Sequence, residues 1–135
     1  MGYSVDASVG YGIVVTDWLE ELLLSEEEVG DIETLMEHIH STLQSVFKKN
    51  KVGYESTWGN DEQNFYLEHQ KWGGYSDDIN ARDFGSAIGT CKLPTEKARK
   101  QMDTELQNVI KAIAKHYGVA NPKLKSMVII RASFG

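Results

Sequence analysis

Polar and apolar residues alternate strictly at the start of the chain. Tyr3, Val5, Ala7, Val9, Tyr11, Ile13 and Val15 fall on one side of an extended backbone, and Ser4, Asp6, Ser8, Gly10 and Gly12 on the other. A period of two sustained this long predicts a strand with one face buried. The small residues of its other face leave room for a second backbone or a ligand, and the two glycines also let the strand bend. The period then changes. Asp17 with Glu20, and Ser25 with Glu28, have capping-box spacing. Val29, Ile32, Leu35, Met36, Ile39, Leu43, Val46 and Phe47 recur at helical intervals. This predicts a short helix near 17–24 and a longer one within 26–49, with Gly30 a break at which Asp31 caps afresh.

Two alternating runs come next, Lys51–Trp58 and Asn64–Trp72, separated by residues 59–63. They predict a hairpin with a loop of about five residues. Residues 73–85, GGYSDDINARDFG, read as a long polar connection, and Ser86–Leu93 as a further strand. Pro94 and Thr95 open an amphipathic helix with Ala98, Met102, Leu106, Val109, Ile110, Ile113 and Tyr117 inward and Gly118 just past its end. In the last strand, Ser126–Phe134, Val128, Ile130, Ala132 and Phe134 share a face. The order β-α(α)-β-β-β-α-β predicts a single α+β domain over 1–135, a mainly antiparallel five-stranded sheet with helices on one face. The two terminal strands, each beside a helical crossover, could pair in parallel.

Composition narrows the function. The formal charge of −6, from 14 Lys and Arg against 20 Asp and Glu, disfavours a general nucleic-acid binder. Nine of the acids lie within residues 17–37, which contain no Lys or Arg. That stretch is a solvated helix face or a surface for a basic protein. No apolar run is long enough for a membrane span, no secretory leader is visible, and a lone Cys91 fits a reducing compartment, so a cytoplasmic protein is expected.

Familiar catalytic patterns do not assemble. The Gly-x-Gly of GYGIVV lacks the third glycine of a dinucleotide fingerprint and lies inside a strand. His38 and His40 point about 200° apart on a helix and cannot chelate together. Glu37 and His40 form one Glu-x-x-His without the second copy that a carboxylate-bridged metal site needs. Cys91 reads as a small buried hydrophobe. Asp77, Asp78 and Asp83 lack calcium-loop spacing. Neither metal nor cofactor is expected.

The aromatic hairpin is the remaining signal. Phe65, Leu67 and His69 point one way, and Tyr66, Glu68, Gln70 and Trp72 the other. With Phe65 and Leu67 in the core, Tyr66 and Trp72 would stand on an open face. Tyr75, with Arg82 and Arg131, would extend that face into a surface of aromatic rings and cations, and Trp58 and His69 of the same hairpin are further candidate binding residues. The opposite reading is that cross-strand aromatic pairs only hold the hairpin together.

The opening MGYSVDASVGYGIVV, with Tyr3, Tyr11, Gly12 and Ile13 ahead of an acidic helix, resembles the start of small phage-encoded accessory proteins of unknown function. That resemblance implies a non-catalytic binding protein that inhibits a host defence factor by contact. A second expectation is a sponge for a nucleotide or related anion, with Tyr or Trp stacked on the base and Arg82, Arg131 or Lys92 near the phosphates. A third is a small hydrolase using His69. Self-association is also expected as an option, through the first strand or through an edge formed by the last.

Overall fold

The computed structural model describes residues 5–25, 30–59, 62–76 and 94–134, with side chains described over 9–25, 30–57, 63–72 and 94–130. The elements run β1 (Val5–Val14), α1 (Thr16–Ser25), α2 (Ile32–Thr42), α3 (Gln44–Asn50), β2 (Val52–Gly59), β3 (Glu62–Ser76), α4 (Glu96–Tyr117) and β4 (Met127–Phe134). The architecture is α+β, and among the described residues the sheet has four strands in the order β2-β3-β1-β4, all antiparallel. The predicted strand Ser86–Leu93 lies outside the described residues.

The terminal strands pair antiparallel, against the parallel option. The parallel relationships fall elsewhere. β1 and β2 run parallel with β3 between them, and β3 and β4 run parallel with β1 between them. Each helical crossover therefore skips one strand, the split β-α-β connectivity of ferredoxin-like sheets.

One face of the sheet carries the core. Ile13 and Tyr54 each stand opposite Leu67, while Val52 stands opposite His69. Ile13, Val15, Phe65 and Leu67 pack with Leu19, Leu22, Leu35, Met36, Ile39 and Phe47, and with Met102, Leu106, Val109, Ile110 and Ile113 of α4. Ile13 and Leu67 are 0% exposed, and burial of each side chain is worth roughly 2 kcal/mol.

The helix ends follow local chemistry. Asp31 caps α2, its Oδ1 accepting from the Thr34 amide at 2.7 Å, a bond that holds its carboxyl below the ordinary aspartate range. Thr95 caps α4 by accepting from the Ala98 amide, and Gly118 ends that helix in the left-handed region at φ 66°. α1 begins at Thr16, so Asp17 sits in its first turn instead of capping it, and the Thr16 hydroxyl accepts from the Phe65 amide at 2.9 Å. The predicted long helix is broken again at Leu43, which separates α2 from α3.

β3 departs most from expectation. It continues through Ser76 and takes in Gly73, Gly74 and Tyr75, which read as loop, because its second half pairs with β1. The hairpin is correspondingly tighter: Gly59 pairs with Glu62, leaving residues 60 and 61 between them. Gly10 stands opposite Gly73 and Gly12 opposite Glu68, so Tyr11 alone faces the four residues 69–72. β3 thus carries a bulge of three extra residues. An odd insertion reverses which way later side chains point, and Trp72 joins the helix side with His69 instead of pairing with Tyr66.

Tyr11 ties β1 to α4, its hydroxyl donating to Asp103 Oδ1 at 2.6 Å. Burial, then the Asp103 bond and charge, push this phenol from 10.0 up to about 12. The unfolded phenol therefore ionises first. Stability should be at its full value below pH 10 and fall between pH 10 and about 12. Urea midpoints measured across that range should show the fall, and Tyr11→Phe should flatten it.

Candidate functional site

The bulge shapes a cleft between β3 and α4. A bulge strands backbone amides that a regular ladder would pair. Here the Lys71 amide donates to Nδ1 of His69 at 3.2 Å, so the side chain of the first bulged residue satisfies the backbone of the third. With Nδ1 accepting, the ring proton belongs on Nε2, which donates to Glu105 Oε1 on α4 at 3.2 Å. His69 is 1% exposed. Both nitrogens are engaged and the ring is closed to solvent, so His69 fastens the bulge to α4 and offers no nitrogen to a substrate. That geometry does not favour a hydrolase built on His69.

Trp72 stands over the same floor. Half-buried, it packs edge-to-face on Tyr11 with centroids 6.3 Å apart and planes at 89°. Met102, Ala98 and Pro94 continue the apolar wall, Thr95 and Gln101 give a polar rim, and Lys51 and Lys71 stand at the mouth. The cleft measures about 730 Å³, within the usual range of small-molecule sites. Lys51 lies next to the bulge because its carbonyl accepts from the Gln70 amide at 2.8 Å. It ends α3 in the left-handed region at φ 58°, a conformation that costs a side-chain-bearing residue roughly 1 kcal/mol. Both lysines line this cleft, and the neighbouring Lys51 ammonium holds Lys71 below the ordinary lysine range.

The expected site residues divide accordingly. His69 and Trp72 meet in the cleft. Tyr66, expected on an open face, is 2% exposed yet separate from the helix-side core; its ring is closed off from any partner surface. Trp72 is on the helix side, corrected by the bulge. Tyr75 and Arg131 share one row of the sheet, each opposite Ser8, while Trp58 lies at the far end of the hairpin, opposite Gln63. Arg82 lies outside the described residues, as do Cys91, Lys92 and the loop aspartates. The small-residue face of β1 receives the protein's own chain: the Glu68 side chain lies over Gly10, and the Leu67 carbonyl closes on Gly12.

Sequence reasoning passed over Lys51, Lys71, Thr95, Gln101 and Glu105 as site residues. The 36-residue separation of His69 from Glu105 gives no local signal, but the basic residues flanking the aromatic hairpin were visible. His40 packs against Phe47 and Tyr54, and among the described residues no group of His, Cys, Asp and Glu could hold a metal. No helix of the described residues is long and apolar enough to cross a membrane.

His69→Ala should cost about 2 kcal/mol, from an orphaned amide and a cavity. Urea denaturation checks the loss, and His69→Gln, which can keep one of the two bonds, should recover part of it. No protein-family model, curated protein or solved structure matches the chain.

Proposed function

We propose that this is a non-catalytic cytoplasmic binding protein that holds a small anion with an aromatic or apolar portion, a nucleotide or a related phosphate ester, in the cleft between β3 and α4. The observation that carries this reading is the pair of lysines, Lys51 and Lys71, crowded together at the mouth of an apolar cleft walled by Trp72 and Met102. Two ammonium groups held side by side repel; an anion between them relieves that repulsion and gains two charge-assisted hydrogen bonds. Trp72 offers a π face and edge to an aromatic ligand, and Thr95 and Gln101 offer polar contacts at the rim.

The test is a panel of nucleoside monophosphates and phenyl phosphate, with inorganic phosphate as the purely ionic control. Aromatic phosphates should raise the melting temperature by mass action and perturb tryptophan fluorescence, with the fluorescence change lost in Trp72→Phe. A panel without any thermal shift would overturn the reading.

A second reading, a phage-encoded inhibitor that covers a host defence factor, is supported by a different face. Asp17, Glu20, Glu21, Asp31, Glu33 and Glu37 on or beside α1 and α2 are all exposed, a field suited to a basic partner. Capture of a host protein that is lost on reversing these charges, and kept on reversing Lys51 and Lys71, would favour it.

A further inference from the structure

The cleft that carries two lysines also holds an acid. Glu105 lines it from α4, on the helix face it shares with Ala98, Gln101 and Met102. Its side chain is only 12% exposed. A carboxylate so far withdrawn from water needs its lone pairs answered, and it has about four positions at which to accept. His69 fills one of them, its Nε2 donating to Oε1 at 3.2 Å. With Nδ1 accepting from the Lys71 amide, that ring supplies one proton and no positive charge.

The helix offers no balancing cation. The neighbours of Glu105 three and four positions away on α4 are Gln101, Met102, Asn108 and Val109. Among the described residues Glu105 forms no ion pair with a lysine or arginine, whereas the exposed Glu96 of the same helix pairs with Lys100. Its charge does reach Lys71, where it favours the ammonium against the repulsion from Lys51. Acid and cations therefore act within one cleft. Fastening His69 does not require the charge, because a neutral amide oxygen can accept the same bond. A carboxylate in the wall also weakens a site that has only an anion to hold. It strengthens one whose ligand brings a donor along with the anion.

We infer that Glu105 sets the specificity of the cleft, favouring phosphates whose organic portion carries a hydroxyl or amino donor over plain aryl phosphates. The assignment rests on the cleft being the anion site proposed above. Lys51 and Lys71 hold the phosphate, Trp72 stands against the ring, and the donor bonds the remaining lone pairs of Glu105. Nucleoside monophosphates meet all of these demands, through ribose hydroxyls or an exocyclic amine. Phenyl phosphate lacks the donor.

Isothermal titration tests this with adenosine monophosphate, its 2′,3′-dideoxy analogue, purine riboside monophosphate, which lacks the amine, and phenyl phosphate. Adenosine monophosphate should bind about 10- to 100-fold more tightly than the analogue that has lost the donor, the worth of a hydrogen bond to a charged group. Loss with the dideoxy analogue assigns the donor to the ribose, and loss with purine riboside assigns it to the base. Equal affinity for all three purine ligands would overturn the inference. Glu105→Gln separates specificity from structure, since glutamine keeps an acceptor for His69. It should cut the discrimination to about fivefold or less and raise affinity for phenyl phosphate about threefold, by taking a negative charge out of the anion site. The discrimination is a ratio measured within one variant, so partial loss of folded protein does not alter it. A residue that only fastened the floor would leave that ratio as in the parent, and this result would overturn the inference as well. If no phosphate binds the parent chain, the cleft reading falls and this inference with it. Binding of all four ligands with one affinity leaves the cleft reading standing and overturns the role of Glu105 alone.

Discussion

Gly12→Ala is expected to lower the unfolding free energy by about 3 kcal/mol, the upper end of what overpacking costs. Gly12 sits where β1 is held on both sides, opposite Glu68 in β3 and Met127 in β4. A methyl group there would run into the Leu67 carbonyl, with the carbonyl carbon and the Glu68 Cα also close. Those are backbone atoms of a central strand. They cannot rotate aside as a side chain would, so relief requires β3 to pull away from β1 beside the bulge. Gly10→Ala should cost less, about 1 kcal/mol, because the added methyl meets the flexible end of Glu68. Gly30→Ala, with nothing within 4 Å, should fall within about 0.5 kcal/mol of the parent. Urea denaturation of the three variants checks the ranking. Equal losses at Gly12 and Gly30 would mean that β1 and β3 do not approach each other as described.

That crowding explains what could be read in the chain and what could not. The alternation from Val5 to Val15 and the 3.6-residue recurrence from Met102 to Ile113 are each fixed by which face of one element is buried, so local sequence displays them. The caps at Asp31, Thr95 and Gly118 are also local, and all three are found. The bulge in β3 is not local. It arises because β3 pairs with β1 in two registers, through Tyr66, Leu67 and Glu68 before the bulge and through Gly73 to Ser76 after it, that differ by three residues, while its pairing with β2 keeps a single register. Nothing in HQKW announces that offset, yet its odd length moves Trp72 from the open side to the cleft. Gly73 and Gly74 read as a loop for the same reason: their fit beside Gly10 and Val9 is visible only once β1 lies next to them. The break at Leu43 is likewise silent, since apolar positions keep helical spacing across it.

The candidate site inherits this division. Its aromatic member was legible as part of an unusually aromatic hairpin, although assigned to the wrong face. Its cations were legible as charge but not as a pair. Lys51 lies at the end of α3 and Lys71 inside the bulge; only the Lys51–Gln70 backbone bond brings them to one mouth. Glu105, which with His69 pins the floor, enters from a helix 36 residues away.

Charge reversal at both lysines, Lys51→Glu with Lys71→Glu, is expected to weaken binding of an aromatic phosphate by at least about 100-fold. Each lysine supplies a charge-assisted bond worth about 1.5–3 kcal/mol, and each replacement adds a repulsive carboxylate. Isothermal titration with phenyl phosphate or a nucleoside monophosphate measures the loss, and full affinity in the double variant would sink the cleft as the binding site. A subtler variant separates binding from folding. Lys51 occupies a left-handed position at φ 58° where glycine is the unstrained choice, so Lys51→Gly should raise stability by about 0.5–1 kcal/mol while lowering affinity about 10-fold. Opposite signs in the two measurements would identify this lysine as a residue kept for its charge at a cost to the fold. The pH dependence should agree. Lys71 is held below the ordinary lysine range by Lys51, so affinity should begin to fall on the alkaline side before an unperturbed lysine would lose its proton. Bound phosphate, by favouring the charged form, should shift that fall to higher pH. If affinity fell only where ordinary lysines titrate, the two ammonium groups would not be acting as a pair.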